Sequence, residues 1–162
     1  MKRCVVVLGI LILAIVSVGA AEPVKGIGVG LDLGLPLHVG AIGEYNFGPA
    51  YAGLDLGYDM MYEAFWLRVE GGYNVAKPFV NANLGVDLYL SVGGAFDLFI
   101  GKEDYYSSGT SFGIGFPITW SYTLEKIPLK FYAKAGPELY FGGGSVVPGL
   151  AGSIGGMYVF EI

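Results

Sequence analysis

The stretch that decides the fold is FGIGFPITWSYTL, residues 112–124. Bulky apolar or aromatic side chains occupy every even position from Phe112 to Leu124, and glycine, proline, serine or threonine occupies each odd position between them. A period of two predicts a β-strand with one bulky face and one small face, because successive side chains of a strand point to opposite sides. The pattern leaves open which face is turned inward. A soluble barrel buries the bulky face, whereas a membrane barrel turns it to lipid.

The same alternation covers almost the whole chain from residue 27 onward. Segments rich in turn-forming residues interrupt it seven times, at LGLPL, FGPA, DMMYEA, NVAKP, GKEDYYSSGTS, LEKIP and GGGSVVPG. Seven connections predict eight antiparallel strands in meander order, and therefore an all-β, antiparallel up-and-down barrel. A hidden hairpin at residues 91–94 would raise the number to nine, or to ten with one more missed turn. We favour a single long, bulged strand there.

The N-terminus has the features of a secretory leader. Lys2 and Arg3 precede an apolar run over residues 5–18, and small residues follow it. This order predicts a helical Sec-type signal peptide over residues 1–21, cleaved near Ala20 or Ala21, before a barrel domain over residues 22–162. The run is shorter than the about 20 residues that a membrane-spanning helix needs. Cleavage also removes Cys4, which has no lipobox around it, so we expect neither disulfides nor thiol chemistry.

The composition restricts the possible partners. The chain is 54% hydrophobic and 14% charged, against about 25% charged in an ordinary soluble domain. Without Lys2 and Arg3, 7 basic side chains remain against 14 acidic ones. An acidic chain with no basic patch argues against nucleic acid as a partner.

Volume and charge indicate that the bulky face is outside. An eight-stranded barrel is just wide enough for its own side chains, so the bulky face would overfill it. We expect glycine, serine, threonine, asparagine and a few ions inside. The small face is too rich in glycine for a solvated surface, and buried charges persist only when they are paired or hydrated. The predicted lumen charge cluster is Glu44, Asp55, Arg68, Glu70, Asp87, Asp97, Lys130, Lys134 and Glu138.

Aromatic residues gather at the strand ends of one side of the predicted barrel. Aromatic girdles are typical of the interfaces between a membrane barrel and water. The predicted girdle is Tyr45, Phe47, Tyr73, Phe79, Trp120, Tyr122, Phe131, Tyr158 and Phe160.

Three stretches carry a resemblance to a known class of proteins: GEYNFGPAYAGLDLGYD, FPITWSYTLEKIPLKFYAKAGPELY and AGSIGGMYVFEI. Together with the signal peptide, they resemble the small outer-membrane β-barrel proteins of Gram-negative-type bacteria, the OmpA/OmpX-like eight-stranded class. The resemblance implies a location in the outer membrane, contact with its lipid, and insertion by the barrel-assembly machinery. Members of this class typically end in an aromatic residue, whereas this chain ends in Ile162.

The sequence offers little for catalysis or cofactor binding. His38 is the only histidine, lies on the small face near a turn, and has no serine-bearing motif beside it. A lipid-modifying barrel enzyme would need a histidine and a serine close together on the outer surface. We therefore expect a polar residue at a barrel end, with no catalytic, metal or cofactor site. The glycines of GIGVG and GGG open no helix and predict no phosphate loop.

The predicted function is that of a non-enzymatic, integral outer-membrane barrel with a structural, surface-interaction or limited-permeation role. One alternative is a narrow, cation-preferring pore, since the small face has an excess of acidic residues. A second alternative is a secreted soluble β-barrel that binds a lipophilic ligand. Pro117, inside the opening stretch, predicts a local bulge or a missing ladder hydrogen bond.

Overall fold

The structure, a computed structural model, describes residues 25–35, 37–61, 63–81, 86–101, 109–124 and 127–162, with the backbone alone described at 78–81 and 86–87. The predicted signal peptide, Cys4 and most of the loop GKEDYYSSGTS lie outside these residues. In the described part of the chain, no helix is long and apolar enough to cross a membrane.

All regular secondary structure in these residues is β-strand, as the alternating pattern predicts. The strands are β1 (Gly26–Leu35), β2 (His38–Asn46), β3 (Ala50–Asp59), β4 (Ala64–Asn81), β5 (Val86–Ile100), β6 (Thr110–Gly115), β7 (Ile118–Leu124), β8 (Leu129–Gly142) and β9 (Ser145–Glu161).

The strands close into a ring with eight strand positions, each of which we call a stave. Neighbours along the chain pair antiparallel, and β9 returns to pair with β1 along the whole length of β1. β6 and β7 form one stave, because both lie between β5 and β8. Residues 91–94 belong to the continuous strand β5, so the alternative of nine or ten strands is wrong. The predicted antiparallel up-and-down barrel of eight strands is confirmed.

The break between β6 and β7 falls at Phe116 and Pro117. The register on β5 and on β8 continues unchanged across it, so no residue is inserted. Pro117 has no N–H to donate to the ladder, while its carbonyl accepts a hydrogen bond from Gly93 N at 3.0 Å. Of the two predicted outcomes, a bulge or a missing hydrogen bond, the structure shows the missing bond.

One predicted turn is wrong because it lies inside a strand, and a second, GGGSVVPG, is longer than the turn that the structure places within it. NVAKP, residues 74–78, belongs to β4, which continues to Asn81. SVVPG, residues 145–149, belongs to β9. The connection from β8 to β9 is Gly143 and Gly144 alone, with φ angles of 58° and 77°. Positive φ at both residues is what a two-residue type I′ hairpin turn requires, and glycine adopts it without steric cost.

In both places a proline, Pro78 or Pro148, led to the prediction of a turn. Each of these prolines lies in a strand segment that pairs with a neighbouring strand on one side only. The pairing of β3 with β4 ends at Ala50 and Tyr73, so the rest of β4 pairs with β5 alone. The pairing of β1 with β9 ends at Leu35 and Gly152, so the first residues of β9 pair with β8 alone. A strand with a free edge tolerates proline, since half of its N–H groups have no ladder partner.

The two ends of the barrel are named here by the connections that they hold. We call the end that holds residues 47–49 and 127–128 the turn end, and the end that holds residues 60–61 and 143–144 the loop end. Buried and exposed side chains alternate along the strands between them. In FGIGFPITWSYTL, the bulky side chains at 112, 114, 116 and 118 are 40–57% exposed, whereas the small side chains at 119 and 121 are buried. The bulky face therefore points outward and the small face inward.

Candidate functional site: the charged interior of the barrel

The interior holds the predicted lumen charges. Eight of the nine predicted residues have described side chains, and all eight point inward and are at least nine-tenths buried. Asp87 lies on β5, and its side chain is outside the described part of the chain. The eight are Glu44, Asp55, Arg68, Glu70, Asp97, Lys130, Lys134 and Glu138.

Arg68 on β4 is the centre of one ion-pair network. Its Nε and Nη2 donate to the two carboxylate oxygens of Asp97 on β5, at 2.7 and 3.1 Å. Nη2 also donates to Oε2 of Glu138 on β8, at 3.0 Å. Trp66 Nε1 donates to Oδ1 of Asp97 at 2.7 Å, and the guanidinium lies 5.2 Å from the Trp66 ring centroid. A bidentate pair with additional hydrogen bonds supplies the partners that a buried guanidinium needs.

Two lysines of β8 reach across the interior. Lys134 Nζ donates to Oε2 of Glu70 at 3.0 Å, and the Tyr51 hydroxyl donates to Oε1 of Glu70 at 2.7 Å. Lys130 Nζ donates to Oε1 of Glu44 at 2.5 Å. Because Glu70 is on β4 and Glu44 is on β2, each bridge joins staves that are three places apart in the ring. With the Arg68 network, these bridges link opposite walls of the barrel.

A further cluster, which was not predicted from the sequence, surrounds Asp32 of β1. Asp32 is fully buried, its Oδ1 lies 2.9 Å from Nε2 of His38, and its Oδ2 accepts a hydrogen bond from the Tyr132 hydroxyl. The His38 ring centroid lies 4.1 Å from that of Trp66. His38 is therefore a buried partner of Asp32 near the loop end. The period-two pattern already placed Asp32 on the inward face of β1, among glycines, and this was the signal that could have found the cluster.

The expectation that small side chains and ions fill the interior is wrong in one respect, because large aromatic rings also lie there. Tyr51 is directly opposite Gly72 on the neighbouring strand. A methyl group on Gly72 would lie 2.5 Å from that ring. Tyr132 faces Gly155 in the same manner. The interior glycines therefore make room for rings on the adjacent stave. The buried aromatic set is Tyr51, Trp66, Tyr89, Phe99 and Tyr132.

Asp55 on β3 differs from the other buried carboxylates. It is 2% exposed, and neither of its oxygens has a hydrogen-bond partner among the described residues. Arg68 is directly opposite it on β4, yet the guanidinium binds other carboxylates. Asp55 lines a small void with room for about one water molecule, whose walls also include Glu44, Glu70 and Lys134.

The predicted aromatic girdle lies on the outer surface at the turn end. Seven of its nine side chains are exposed, and Tyr122 is half-buried. Phe79 lies on β4, and its side chain is outside the described part of the chain. The seven are Tyr45, Phe47, Tyr73, Trp120, Phe131, Tyr158 and Phe160.

A second group of outward aromatic residues, not predicted from the sequence as a group, lies near the loop end. Tyr58 is directly opposite Phe65, with ring centroids 5.3 Å apart. Phe112 is directly opposite Phe141, with stacked rings 4.9 Å apart. These cross-strand pairs depend on the register between strands, which a single-strand pattern does not contain.

The outward face is free of charge throughout the described strands. Every charged side chain described within the strands points into the interior or lies at a rim. Lys77 of β4, for example, places its Nζ 5.3 Å from the ring centroid of the buried Tyr89. Glu161 lies at the turn end, opposite Gly26. The outward positions hold aliphatic and aromatic residues, with glycine, alanine, proline and Thr110 among them.

Comparisons with known proteins add one likeness. No protein-family model matches the chain, and no curated protein matches it in sequence. The chain is similar in structure to the N-terminal β-barrel domain of OprF from Pseudomonas aeruginosa, with 16% sequence identity and a TM-score of 0.49. The match covers 86% of this chain and 98% of that one. The fold assignment stands on the strand pairing itself.

The interior is suited to holding the barrel walls together. Among the described residues, no group of three or more histidine, cysteine, aspartate or glutamate side chains is arranged to hold a metal ion. A second void of similar size shares Arg68 and Lys134 with the first and extends toward Pro117 and Pro137. Ion pairs and aromatic rings thus occupy most of the interior.

Proposed function

We propose that this chain is an integral outer-membrane β-barrel protein with a non-enzymatic role, either structural, in surface interaction or in limited permeation. The observation that carries the proposal is the distribution of side chains: the outward face is apolar and uncharged, and the charges are inside. In water, this arrangement would expose a large apolar surface, which is unfavourable. In a bilayer, the closed ladder satisfies the backbone and the apolar face meets lipid.

The height of the apolar face supports the proposal. On β1, the outward row Ile27, Val29, Leu31, Leu33 and Leu35 is 42–69% exposed. Eight residue steps of about 3.3 Å, tilted by about 40°, give a height of roughly 20 Å. The exposed Leu37 extends the row at the loop end. The total is close to the band of about 25 Å that a transmembrane barrel needs.

The filled interior favours a closed barrel over an open channel. Bridges from Arg68, Lys130 and Lys134 cross the interior, and eight strands leave little space beyond that of the side chains. A closed barrel serves as a membrane anchor or presents its loops to a partner. The connection between β5 and β6, at residues 101–109, is the longest and carries charged and aromatic residues.

A narrow, cation-preferring pore is the second candidate, and the acidic excess of the interior favours it. Seven carboxylates are buried against three basic side chains, Arg68, Lys130 and Lys134. Planar-bilayer recordings distinguish the two candidates. Discrete currents that select potassium over chloride would support the pore. Absence of discrete conductance from protein shown to be inserted would support the closed barrel.

The soluble, lipid-binding alternative fits the structure less well. Charged side chains line both voids described above, so neither offers an apolar cavity for a lipophilic ligand. Cell fractionation tests the point directly. We expect the mature protein in the outer-membrane fraction, released only by detergent. Recovery in the soluble periplasmic fraction without detergent would overturn the proposal.

Two steps of biogenesis belong to the same proposal. If the signal peptide is removed after Ala20 or Ala21, the mature chain begins at residue 21 or 22. Its intact mass, measured by mass spectrometry, should match one of these two chains. Insertion by the barrel-assembly machinery would use the last strand, in which Tyr158 and Phe160 point outward before Ile162. Replacement of Ile162 by phenylalanine is expected to raise the inserted fraction, and a lower fraction would count against recognition of this strand.

A further inference from the structure

The side chain of Asp55 lies over a glycine and approaches a second carboxylate. Gly40 on β2 is directly opposite Asp32 on β1. A Cβ on Gly40 would lie 2.5 Å from Oδ1 of Asp55. The Asp55 carboxylate therefore extends from β3 across the backbone of β2 toward Asp32. The absence of a side chain at position 40 makes this approach possible.

The charges around Asp55 do not neutralise it. Asp32, Lys134, His38 and Arg68 are the charged or titratable groups that act on it most strongly. Lys134 and Arg68 are engaged in the bridges described above. His38 is engaged with Asp32. Asp55 is thus a buried carboxylate next to another carboxylate, with no hydrogen bond to either oxygen among the described residues.

The whole described interior has the same imbalance. Among the buried side chains, three basic ones oppose seven carboxylates. A buried carboxylate without a partner is costly, and a bound cation is one way in which proteins remove that cost. The seven are Asp32, Glu44, Asp55, Asp59, Glu70, Asp97 and Glu138.

We propose that the interior binds a small monovalent cation at Asp55, in the gap toward Asp32. Both oxygens of Asp55 are free to serve as ligands, and the adjoining void has room for about one water molecule as a further ligand. Oxygen ligands are those that hard cations prefer. A single charge suits the site better than a double one, because Arg68 and Lys134 lie nearby and no third carboxylate completes a metal centre.

Thermal unfolding of the folded protein in detergent micelles tests the proposal. Chloride salts of sodium, potassium and N-methylglucamine are compared at constant ionic strength and pH 8, and circular dichroism reports the midpoint. We expect sodium or potassium to raise the midpoint saturably, whereas N-methylglucamine, too large for the void, leaves it unchanged. Asp55→Asn should abolish the difference between the salts. Glu161→Gln, which removes one exposed negative charge at the rim, should preserve it.

Repeating the series at pH 6 separates a metal cation from a proton. If the midpoint depends on pH and not on the cation, a proton neutralises Asp55 and the proposal is wrong. If Asp55→Asn does not fold, sodium-23 nuclear magnetic resonance of the wild type decides. Saturable line broadening that potassium competes away, and that Gly40→Ala weakens several-fold, supports the site. No saturable broadening overturns it. The site lies inside the barrel, so neither result depends on whether lipid surrounds the outer face.

Discussion

Leu31→Lys is the sharpest test of whether the outward face meets lipid. Leu31 is 67% exposed and lies at the centre of the outward row of β1, opposite Ala41 on β2 and Gly156 on β9. A lysine at the midplane of the lipid face of a barrel costs about 2–4 kcal/mol. The same substitution on a surface in water changes stability by about 0.5 kcal/mol or less. We expect Leu31→Lys to lower the free energy of unfolding by about 2–4 kcal/mol in a bilayer.

Two matched variants isolate the cause. Leu31→Ala removes about three carbon groups, each worth about 0.8 kcal/mol when buried. With about two-thirds of the side chain facing outward, its expected cost in lipid is about 1.5 kcal/mol. Ile27→Lys makes the same charge change on the same row but at the turn end, where the cost falls to about 0–1 kcal/mol. The predicted order of destabilisation is therefore Leu31→Lys, then Leu31→Ala, then Ile27→Lys.

The assay is reversible urea unfolding in phospholipid vesicles, followed by the fluorescence of Trp66 and Trp120. Linear extrapolation gives the free energy of unfolding of each variant. Circular dichroism confirms that each variant starts from a folded barrel. If both lysine variants lie within about 0.5 kcal/mol of the wild type, the outward face does not meet lipid and the proposed location is wrong. A dependence on depth, with the largest loss at Leu31, is specific to a bilayer.

Three further predictions concern the turns and the interior. Glu63→Gly should stabilise the barrel by about 0.5 kcal/mol, since Glu63 has φ of 48° and glycine adopts this region without strain. A lower free energy of unfolding in urea for this variant would contradict the prediction. Arg68→Leu should cost about 3 kcal/mol or more, because it leaves two buried carboxylates without their cation, and a loss below about 1 kcal/mol would show that the network is not needed. Gly155→Ala should cost about 1–3 kcal/mol through collision with Tyr132, whereas Gly94→Ala, with no atom within 4 Å of the added carbon, should change little; equal effects would refute the role given to glycine.

The faces of the strands could be predicted from the sequence, because the alternation of side chains is a local property. In the stretch from Phe112 to Ser121, every position retains its predicted face despite the break at Pro117. The same rule placed the lumen charges, since each lies on the small face of its own strand. It also placed Asp32, although only as one polar residue among glycines.

The strand lengths could not be predicted as well, because they depend on which neighbours a strand has. Pro78 and Pro148 indicate turns when the sequence is considered one strand at a time. Each lies where its strand continues beyond the neighbour on one side, so the proline costs little there. Staggered strand ends follow from the stagger required to close a tilted barrel, which is a property of the whole ring.

The ion-pair partners were beyond local prediction for the same reason. Lys130 and Glu44 are separated by 86 positions, and Arg68 and Glu138 by 70. Whether two such residues meet depends on the register of every strand pair that lies between them in the ring. A change of register in any one of these pairs would shift one residue along the barrel relative to the other. A shift of one residue in any pair would turn the whole inward set of a strand outward. The sequence therefore predicts which charges are inside, while the ring determines which of them meet.

The two faces have separate physical roles in the proposed membrane barrel. The outward side chains contribute free energy when the chain moves from water into lipid, but they distinguish poorly between one barrel register and another, since lipid tails contact any apolar side chain equally well. The inward side chains make specific contacts, because a buried carboxylate without its partner is penalised. Substitutions such as Leu31→Lys should therefore reduce partitioning into the bilayer, whereas Arg68→Leu should loosen the barrel within it. Amide hydrogen exchange of β4 and β8 in vesicles would rise in the second variant and remain unchanged in the folded fraction of the first.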